Sequence, residues 1–373
     1  MAEQGKISAF QLGLMLYPLV VATADLTVPA TTFKLAGRDL WISPLWDALL
    51  GLFSVWMAVR LASLYPGETL IQYLVRILGK WPGKALGLLF LFYYVHINGN
   101  IVKLSQELVT SNFLNYTPVI VVISGLIFVS GCAVRGGLEV IARTAQMLVP
   151  FILLLTVLVF VLLTPDMDVH KLLPIMGLGV GPSLMGAIVP TAWFSHYIMI
   201  SFLLPYVKDP DKARKWGFIA VLVATCSLSL CNVYTLMLFG NITGSFTYPV
   251  IQAARYISIA DFLEHLEALV VVIWVAGVYL KIAIFYYVLA LGMAHWLGLE
   301  SYRPVVFPVG ALILTFTLWS GPSMQDLVDF IGKATPFYSC TIHVLIPVLL
   351  ILIATIRKKA ARGGPPRPDE QPA

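Results

Sequence analysis

The hydrophobic pattern of this chain is one of long apolar runs separated by short polar or Pro/Gly-marked turns. It predicts ten membrane-spanning helices, approximately 10–35, 41–64, 85–110, 117–132, 138–163, 181–206, 215–240, 264–297, 304–320 and 335–356. Between the second and third runs, Leu70, Tyr73, Leu74, Ile77 and Leu78 recur at helical spacing beside charged positions. That is the pattern of a short helix lying in the membrane interface. Two of the runs are conspicuously interrupted. Span one carries Thr23, Asp25, Thr27 and Pro29 in its middle, and span six carries Gly181, Pro182, Gly186, Pro190, Thr191, Ser195 and His196.

Ten spans divide as five plus five, and an odd number in each half inserts the second half upside down relative to the first. Secondary transporters of this architecture break the first helix of each half near the bilayer midplane and bind substrate at the breaks. The matching interruptions in spans one and six therefore predict an all-α integral membrane fold with a 5+5 inverted repeat and discontinuous helices one and six. Repeat one is expected over about 8–163 and repeat two over about 172–356, within one transporter-like domain covering 1–356. The segment 357–373, rich in Pro, Gly and charge, is expected to be a disordered cytoplasmic tail.

Composition supports this picture. Hydrophobic residues make up 59% of the chain and charged residues 12%, outside the range of water-soluble domains of this size. The apolar run near the N-terminus is too long and too interrupted for a cleaved signal peptide and is read as the first span. Basic residues set the orientation, because Lys and Arg are retained on the cytoplasmic side. With the N-terminus inside, seventeen of the 24 basic residues fall on inner segments and six on outer ones, while Lys281 lies within span eight. Both termini are thus expected in the cytoplasm, and the net charge of +5 reflects topology, not nucleic-acid binding. Cys132, Cys226, Cys231 and Cys340 fall singly in apolar stretches and read as small core residues, with no metal or disulfide spacing. Nucleophile elbows, zinc-protease motifs, phosphate loops and dinucleotide fingerprints are absent from the sequence, so no enzyme, cofactor or metal is predicted.

Ionisable and polar residues at membrane depth are the functional candidates. Asp25 suits either an ammonium ligand or the cap of a half-helix beginning near Pro29. In span three, Tyr93, His96, Asn100, Lys103 and Glu107 are spaced 3, 4, 3 and 4 apart and share one face, with Lys103 and Glu107 an i, i+4 pair at the outer mouth. The alternative for this stripe is interhelical hydrogen bonding. In span eight, Glu267, Trp274, Lys281 and His295 form a slowly drifting stripe. Lys281 is the deepest of them, suited to a substrate carboxylate, to the place of a coupling cation, or to a static pair with Asp25. His295 reads as interfacial and His343 as a satisfied core residue. His196, just after the break in span six, reads as a site residue with Trp193 beside it.

The stretches "ETLIQYLVRILGKWPGKALGLLFLFYY" from Glu68, "LLPIMGLGVGPSLMGA" from Leu172, "FTYPVIQAARYIS" from Phe246 and "DFLEHLEALVVVIWVAGVYLKIAIFYY" from Asp261 give nearly the whole chain a resemblance. It is similar to the B subunits of spore germinant receptors, a branch of the amino acid–polyamine–organocation transporter superfamily. The resemblance implies a nutrient pocket between spans one and six with walls from three and eight, assembly with A and C subunits, and residence in the inner membrane of a dormant spore. With the polar and aromatic residues read above at membrane depth, the expected ligand-binding set is Thr23, Asp25, Thr27, Tyr93, His96, Asn100, Thr191, Trp193, Ser195, His196, Trp274 and Lys281, with an amino acid or similar small nutrient as the ligand that the resemblance implies. Where relatives have a glycine-rich break in span one, this chain has Ala22, Ala24 and Asp25. Where they often carry a glutamate after the span-six break, the nearest titratable group is His196. The alternative function is a proton- or cation-coupled amino acid transporter, since one fold serves both tasks.

Overall fold

The structure, a computed structural model, describes residues 3, 5–255, 267–321 and 323–362. Among these the chain is all-helical, apart from one isolated parallel bridge between Ile7 and Val207. Among the described residues, eight helices are long and apolar enough to cross a membrane, and two further helix pairs, each bent at a short break, make up to ten spans when each pair is counted as one. The spans begin with Ala9–Ala36, Ser43–Leu64, Lys80–Asn112, Val119–Gly136 and Leu138–Leu163. Span six comprises Gly181–Ala187 followed by Thr191–Tyr206, span seven is Ala213–Phe239 and span eight runs from Glu267 to Leu297. Span nine is Val306–Trp319, and span ten starts at Thr335 and continues as helix to Arg362.

The expected interface helix is present as Leu70–Leu78. Thr69 and Gln72 form a reciprocal capping box at its start, and Leu70, Ile71, Tyr73, Leu74 and Ile77 are buried. Gly79, at φ 97°, then reverses the chain directly into span three, a conformation open to glycine at little cost. Gly137, at φ 106°, makes the equivalent turn between spans four and five. A second amphipathic helix, Met324–Lys333, bends 102° away from span nine and buries Leu327 and Ile331. It had no counterpart among the sequence-based expectations.

Burial separates central from peripheral spans. Span one is the axis, with 89% of its most apolar window buried, whereas the corresponding share for spans four and five is 33%. Peripheral spans turn side chains such as Leu49, Phe128, Leu154 and Met147 outward, which is the favourable arrangement when the surrounding solvent is lipid. Cys132 and Cys226 lie on such outward faces, so of the four cysteines only Cys231 is fully buried. Apolar residues on a membrane helix are as well served by lipid as by the core, so apolar context alone did not separate the two locations.

The expected break in span one is not found. Ala9–Ala36 is a single α-helix with Pro18 and Pro29 inside it. The physical reason lies in its composition: Ala22, Ala24 and Leu26 flank the polar residues and no glycine relaxes the backbone there. Proline is tolerated in membrane helices where neighbours compensate the freed backbone groups. Two residues past Pro29 the Thr31 hydroxyl donates to the Thr27 carbonyl at 2.8 Å. Span six does break. Its two segments meet at 53° around Ile188–Pro190, and 3-10 turns at Ser195–Met199 and Leu204–Tyr206 follow.

The N-terminal segment closes one end of the bundle. Ile7 exchanges backbone hydrogen bonds with Tyr206 and Lys208 at 2.9 and 2.8 Å, and the Ala9 N–H donates to Asp209 Oδ1 at 2.7 Å. Glu3 Oε2 accepts from the Leu138 N–H at 3.1 Å and from the hydroxyls of Tyr287 and Tyr302 at 3.3 and 3.0 Å. One buried carboxylate thus joins the N-terminus to span eight and to the starts of spans five and nine. At the other end, Gly186 of span six lies so close to spans one and two that a Cβ there would sit 2.6 Å from Ala36 Cβ and 2.5 Å from Ser43 Oγ. Gly186→Val is expected to overpack this crossing and destabilise the protein by about 1–3 kcal/mol. The measurement is the thermal midpoint in detergent, which Gly181→Val, at a position with open space around it, should leave near wild type.

Candidate functional site

The break in span six faces the middle of spans one, three and eight, and there a small cavity of about 40 Å3 is lined by Thr23, Asn100, Trp193, His196 and Lys281, with Ile97, Ile101 and Leu104 supplying an apolar wall. Lys281 is 1% exposed. Its ammonium donates to Thr23 Oγ1 at 2.8 Å and stands 5.9 Å from the centre of the Phe285 ring. Trp193 Nε1 donates to the same Thr23 oxygen, also at 2.8 Å. A threonine hydroxyl has two acceptor lone pairs. Thr23 therefore uses both, and through them one side chain ties span one to spans six and eight.

Beyond this contact the cavity is short of partners. An ammonium has three donors, and Thr23 satisfies one. Both amide atoms of Asn100, a residue 5% exposed, have no hydrogen-bond partner among the described residues. A buried cation held by a single neutral oxygen is costly, and an unpartnered buried amide adds to that cost. The chemical complement is a small anionic or zwitterionic group supplying two or more acceptor oxygens.

Below the cavity lies a second layer of polar groups. Tyr93 shares a hydrogen bond of 2.8 Å with Ser339 Oγ and one of 3.4 Å with His196 Nε2. Ser195 donates to the Ala192 carbonyl at 2.7 Å and bonds His343 Nδ1 at 3.2 Å. The His343 ring packs edge-on against Tyr93 at 4.6 Å and against His196 at 5.5 Å. His343 sits in a π-helical turn, Thr341–Leu345, inside span ten. Such single-turn bulges occur frequently at functional sites.

The structure thus gathers Thr23, Asn100, Trp193, His196 and Lys281 around one cavity, with Tyr93 and Ser195 directly behind. It leaves others elsewhere. Thr191 bonds its hydroxyl to the Ile188 carbonyl at 2.5 Å and so secures the break itself. Thr27 is buried with its hydroxyl unpartnered among the described residues and does not line the cavity. His96 lies in a wider outer cavity of about 520 Å3 between spans three and nine, ringed by Phe92, Phe316, Phe330 and Tyr338. Asp25 and Trp274 line a further cavity on the other side of span one. Asp25 and Lys281 form no ion pair within 4 Å, because an α-helix turns residues two apart to nearly opposite faces and Lys281 is committed to Thr23. Lys103 and Glu107 do pair, at 3.5 Å. His295 bonds Thr69 at 2.8 Å and anchors the interface helix to span eight. The side chain of Glu267, residues 256–266 and the tail from 363 onward lie outside what is described.

Sequence reasoning missed three buried polar residues, of which His343 and Ser339 belong to the layer behind the cavity. His343 was read as core, and its place beside His196 depends on the π-turn, for which the local sequence has no mark. Ser339 is one of many small residues in apolar runs. Asp47, 1% exposed with both carboxyl oxygens unpartnered among the described residues, lies in the second turn of span two. The helix N-terminus there favours an anion, and its intramembrane charge was the available signal.

A helical bundle with a broken sixth span and polar groups converging on the break defines a class, that of membrane proteins built like secondary transporters from two inverted five-helix repeats. Solved structures agree at the level of fold. A substrate-bound, outward-open Na+-coupled sialic acid symporter superposes with a TM-score of 0.67 at 11% identity, covering 91% of this chain and 79% of that one. A nucleobase-cation-symport-1 family transporter, closed with bromovinylhydantoin bound, superposes with a TM-score of 0.60 at 13% identity, covering 93% and 78%. Within that class the chain belongs to the spore germination protein family, whose family model matches residues 6–323. Spore germination protein KB of Bacillus subtilis (strain 168) is 24% identical over 363 residues, 96% of each chain.

Replacing Thr23 by Val removes the acceptor of two buried donors at once. The expected loss is about 2–5 kcal/mol, with Thr23→Ser close to wild type. Combined with Lys281→Met, Thr23→Val should cost less than the sum of the two single changes, because the cation that needed the hydroxyl is gone. Thermal midpoints of the three variants in detergent check both statements.

Proposed function

We propose that this chain is the membrane-embedded nutrient-sensing subunit of a spore germinant receptor, and that it binds an amino acid or a similar small nutrient in the cavity beside the span-six break. The family membership supports the germination role. The observation that carries the ligand class is the Lys281 ammonium, sealed in the cavity with one neutral partner beside the unpartnered Asn100 amide. A carboxylate placed between them would meet the spare ammonium donors and the amide N–H. About 40 Å3 is room for a few heavy atoms. The closed arrangement therefore suits a small ligand, or opens further to admit a larger one.

In this reading the repeats cover about 8–163 and 172–356, the termini are cytoplasmic, and the protein resides in the spore inner membrane with germinant receptor A and C subunits. Binding acts by differential affinity for two arrangements of the helices, since a ligand shifts an equilibrium only as far as it prefers one state. The Glu3 and Ile7 contacts at the N-terminal end are the set that such a change would have to rearrange. No step of this function calls for covalent chemistry or a cofactor.

One observation favours a second reading. The superposed sialic acid symporter is a Na+-coupled transporter of similar fold, so proton- or cation-coupled amino acid transport is the alternative. Two measurements separate the readings. Purified protein should be stabilised by its nutrient, by about 2.7 kcal/mol at a hundredfold excess over Kd, and Lys281→Met should lose that stabilisation. Reconstituted in liposomes, the protein should bind the nutrient yet accumulate none. Concentrative uptake would transfer the assignment to the transporter. An unchanged nutrient response in Lys281→Met would remove the site assignment.

A further inference from the structure

The cavity on the other side of span one has a chemistry opposite to that of the Lys281 site. It is lined by spans one, five, seven and eight and by Val250 of the short helix Pro249–Ala254, has a volume of about 40 Å3, and holds one ionisable carboxyl, that of Asp25, among the aromatic residues Tyr17, Tyr234 and Trp274. Thr23 and Asp25 are two positions apart on a continuous helix, so they address different faces of it. At the wall of this cavity spans one and eight touch closely: a Cβ on Gly277 would lie 3.2 Å from Ala22 Cβ.

Two polar atoms in this cavity have no partner among the described residues. One is Asp25 Oδ1, an acceptor, and the other is the indole Nε1 of Trp274, a donor on a side chain 5% exposed. The remaining polar groups are engaged. Tyr234 donates to Cys231 Sγ at 3.5 Å, Tyr17 donates to Ser227 Oγ at 3.1 Å, and Thr156 donates to the Ile152 carbonyl at 2.9 Å. Among the described residues, no Lys, Arg or His lines the cavity and Asp25 takes part in no ion pair. Buried native groups of both kinds rarely go unpaired. An unpaired acceptor and an unpaired donor sharing one aromatic-walled space are therefore a matched vacancy.

We propose that this cavity is a second ligand site, separate from the nutrient site, for a small primary ammonium ion that also carries one hydroxyl or ether oxygen. The ammonium donates to Asp25 Oδ1 and gains from the faces of the surrounding aromatic rings, which attract organic cations. The oxygen accepts from Trp274 Nε1. A water needs about 10–15 Å3 of comparable space, so the cavity admits a few heavy atoms, the size of ethanolamine. This inference does not rest on the nutrient reading. One site takes its ligand by an ammonium of the protein, the other by a carboxyl.

The test is a thermal-shift titration of the purified full chain with ethanolamine, ethylamine and sodium chloride at matched ionic strength. Ethanolamine should stabilise the wild type more than ethylamine, and sodium should have no effect beyond that of ionic strength. Asp25→Asn should weaken ethanolamine binding by about tenfold or more, since a buried charge partner is lost. Trp274→Phe should keep the binding of both amines and erase the preference for ethanolamine over ethylamine. Lys281→Met should bind ethanolamine like the wild type, so that this site is able to fail or hold independently of the Lys281 cavity. Stabilisation by sodium equal to that by ethanolamine, binding unchanged in Asp25→Asn, or binding lost in Lys281→Met would each overturn the proposal, as would the absence of any ethanolamine shift in the wild type.

Discussion

The Thr23 hydroxyl is the point on which the centre of this protein depends. It accepts from Lys281 and from Trp193 at 2.8 Å each, and so joins the axial first span to the broken sixth and to the eighth. Both donors are buried, and in lipid or protein core an unmet donor has no water to turn to. The hydroxyl thus fixes where the ammonium stands and which way the indole faces. All three residues of that contact line the same cavity as Asn100.

Around this point the fold distributes its polar groups by side. On the side of span one that meets spans three and six, Thr23 faces the cation of span eight and the amide of span three, with Tyr93, Ser195 and His343 as a hydrogen-bonded layer behind them. The opposite face carries Asp25 with Trp274 and two tyrosines. A continuous helix is what separates them. Had span one unwound at Ala22–Asp25, the direction of each side chain would no longer follow the 100° step per residue, and acid and ammonium would have been free to meet. The prolines that suggested an interruption are absorbed, and the break is carried by span six alone.

The wider bundle holds this arrangement from both ends. Glu3 gathers the N-terminal segment with spans five, eight and nine, and Gly186 allows the first half of span six to press against spans one and two. These are close, specific contacts in a molecule whose outer helices mostly face lipid. Membrane helices gain little from exchanging lipid for protein on an apolar surface, so small residues and hydrogen bonds at the crossings carry the specificity. Both kinds of contact lie far along the chain from the residues they position.

The sequence by itself determined the ten spans, the interface helix after Tyr65, the interruption of span six, the family, and which polar residues lie at membrane depth, because a bilayer imposes a length and a polarity that any chain must display in order. The i, i+4 pair of Lys103 and Glu107 was legible for the same reason, being local to one helix. Tertiary structure alone decided which polar residues meet. Spacing placed His96 and Asn100 on one face, yet four positions of separation put one in an aromatic outer cavity and the other in the central one. It also decided that Asp25 and Lys281 stay apart, that His343 joins His196 through a π-turn, and that Asp47 is buried without a partner among the described residues. Each of these outcomes depends on helix rotation and on the crossing of distant segments. Those are set by packing at contacts hundreds of residues apart, and no local pattern records them.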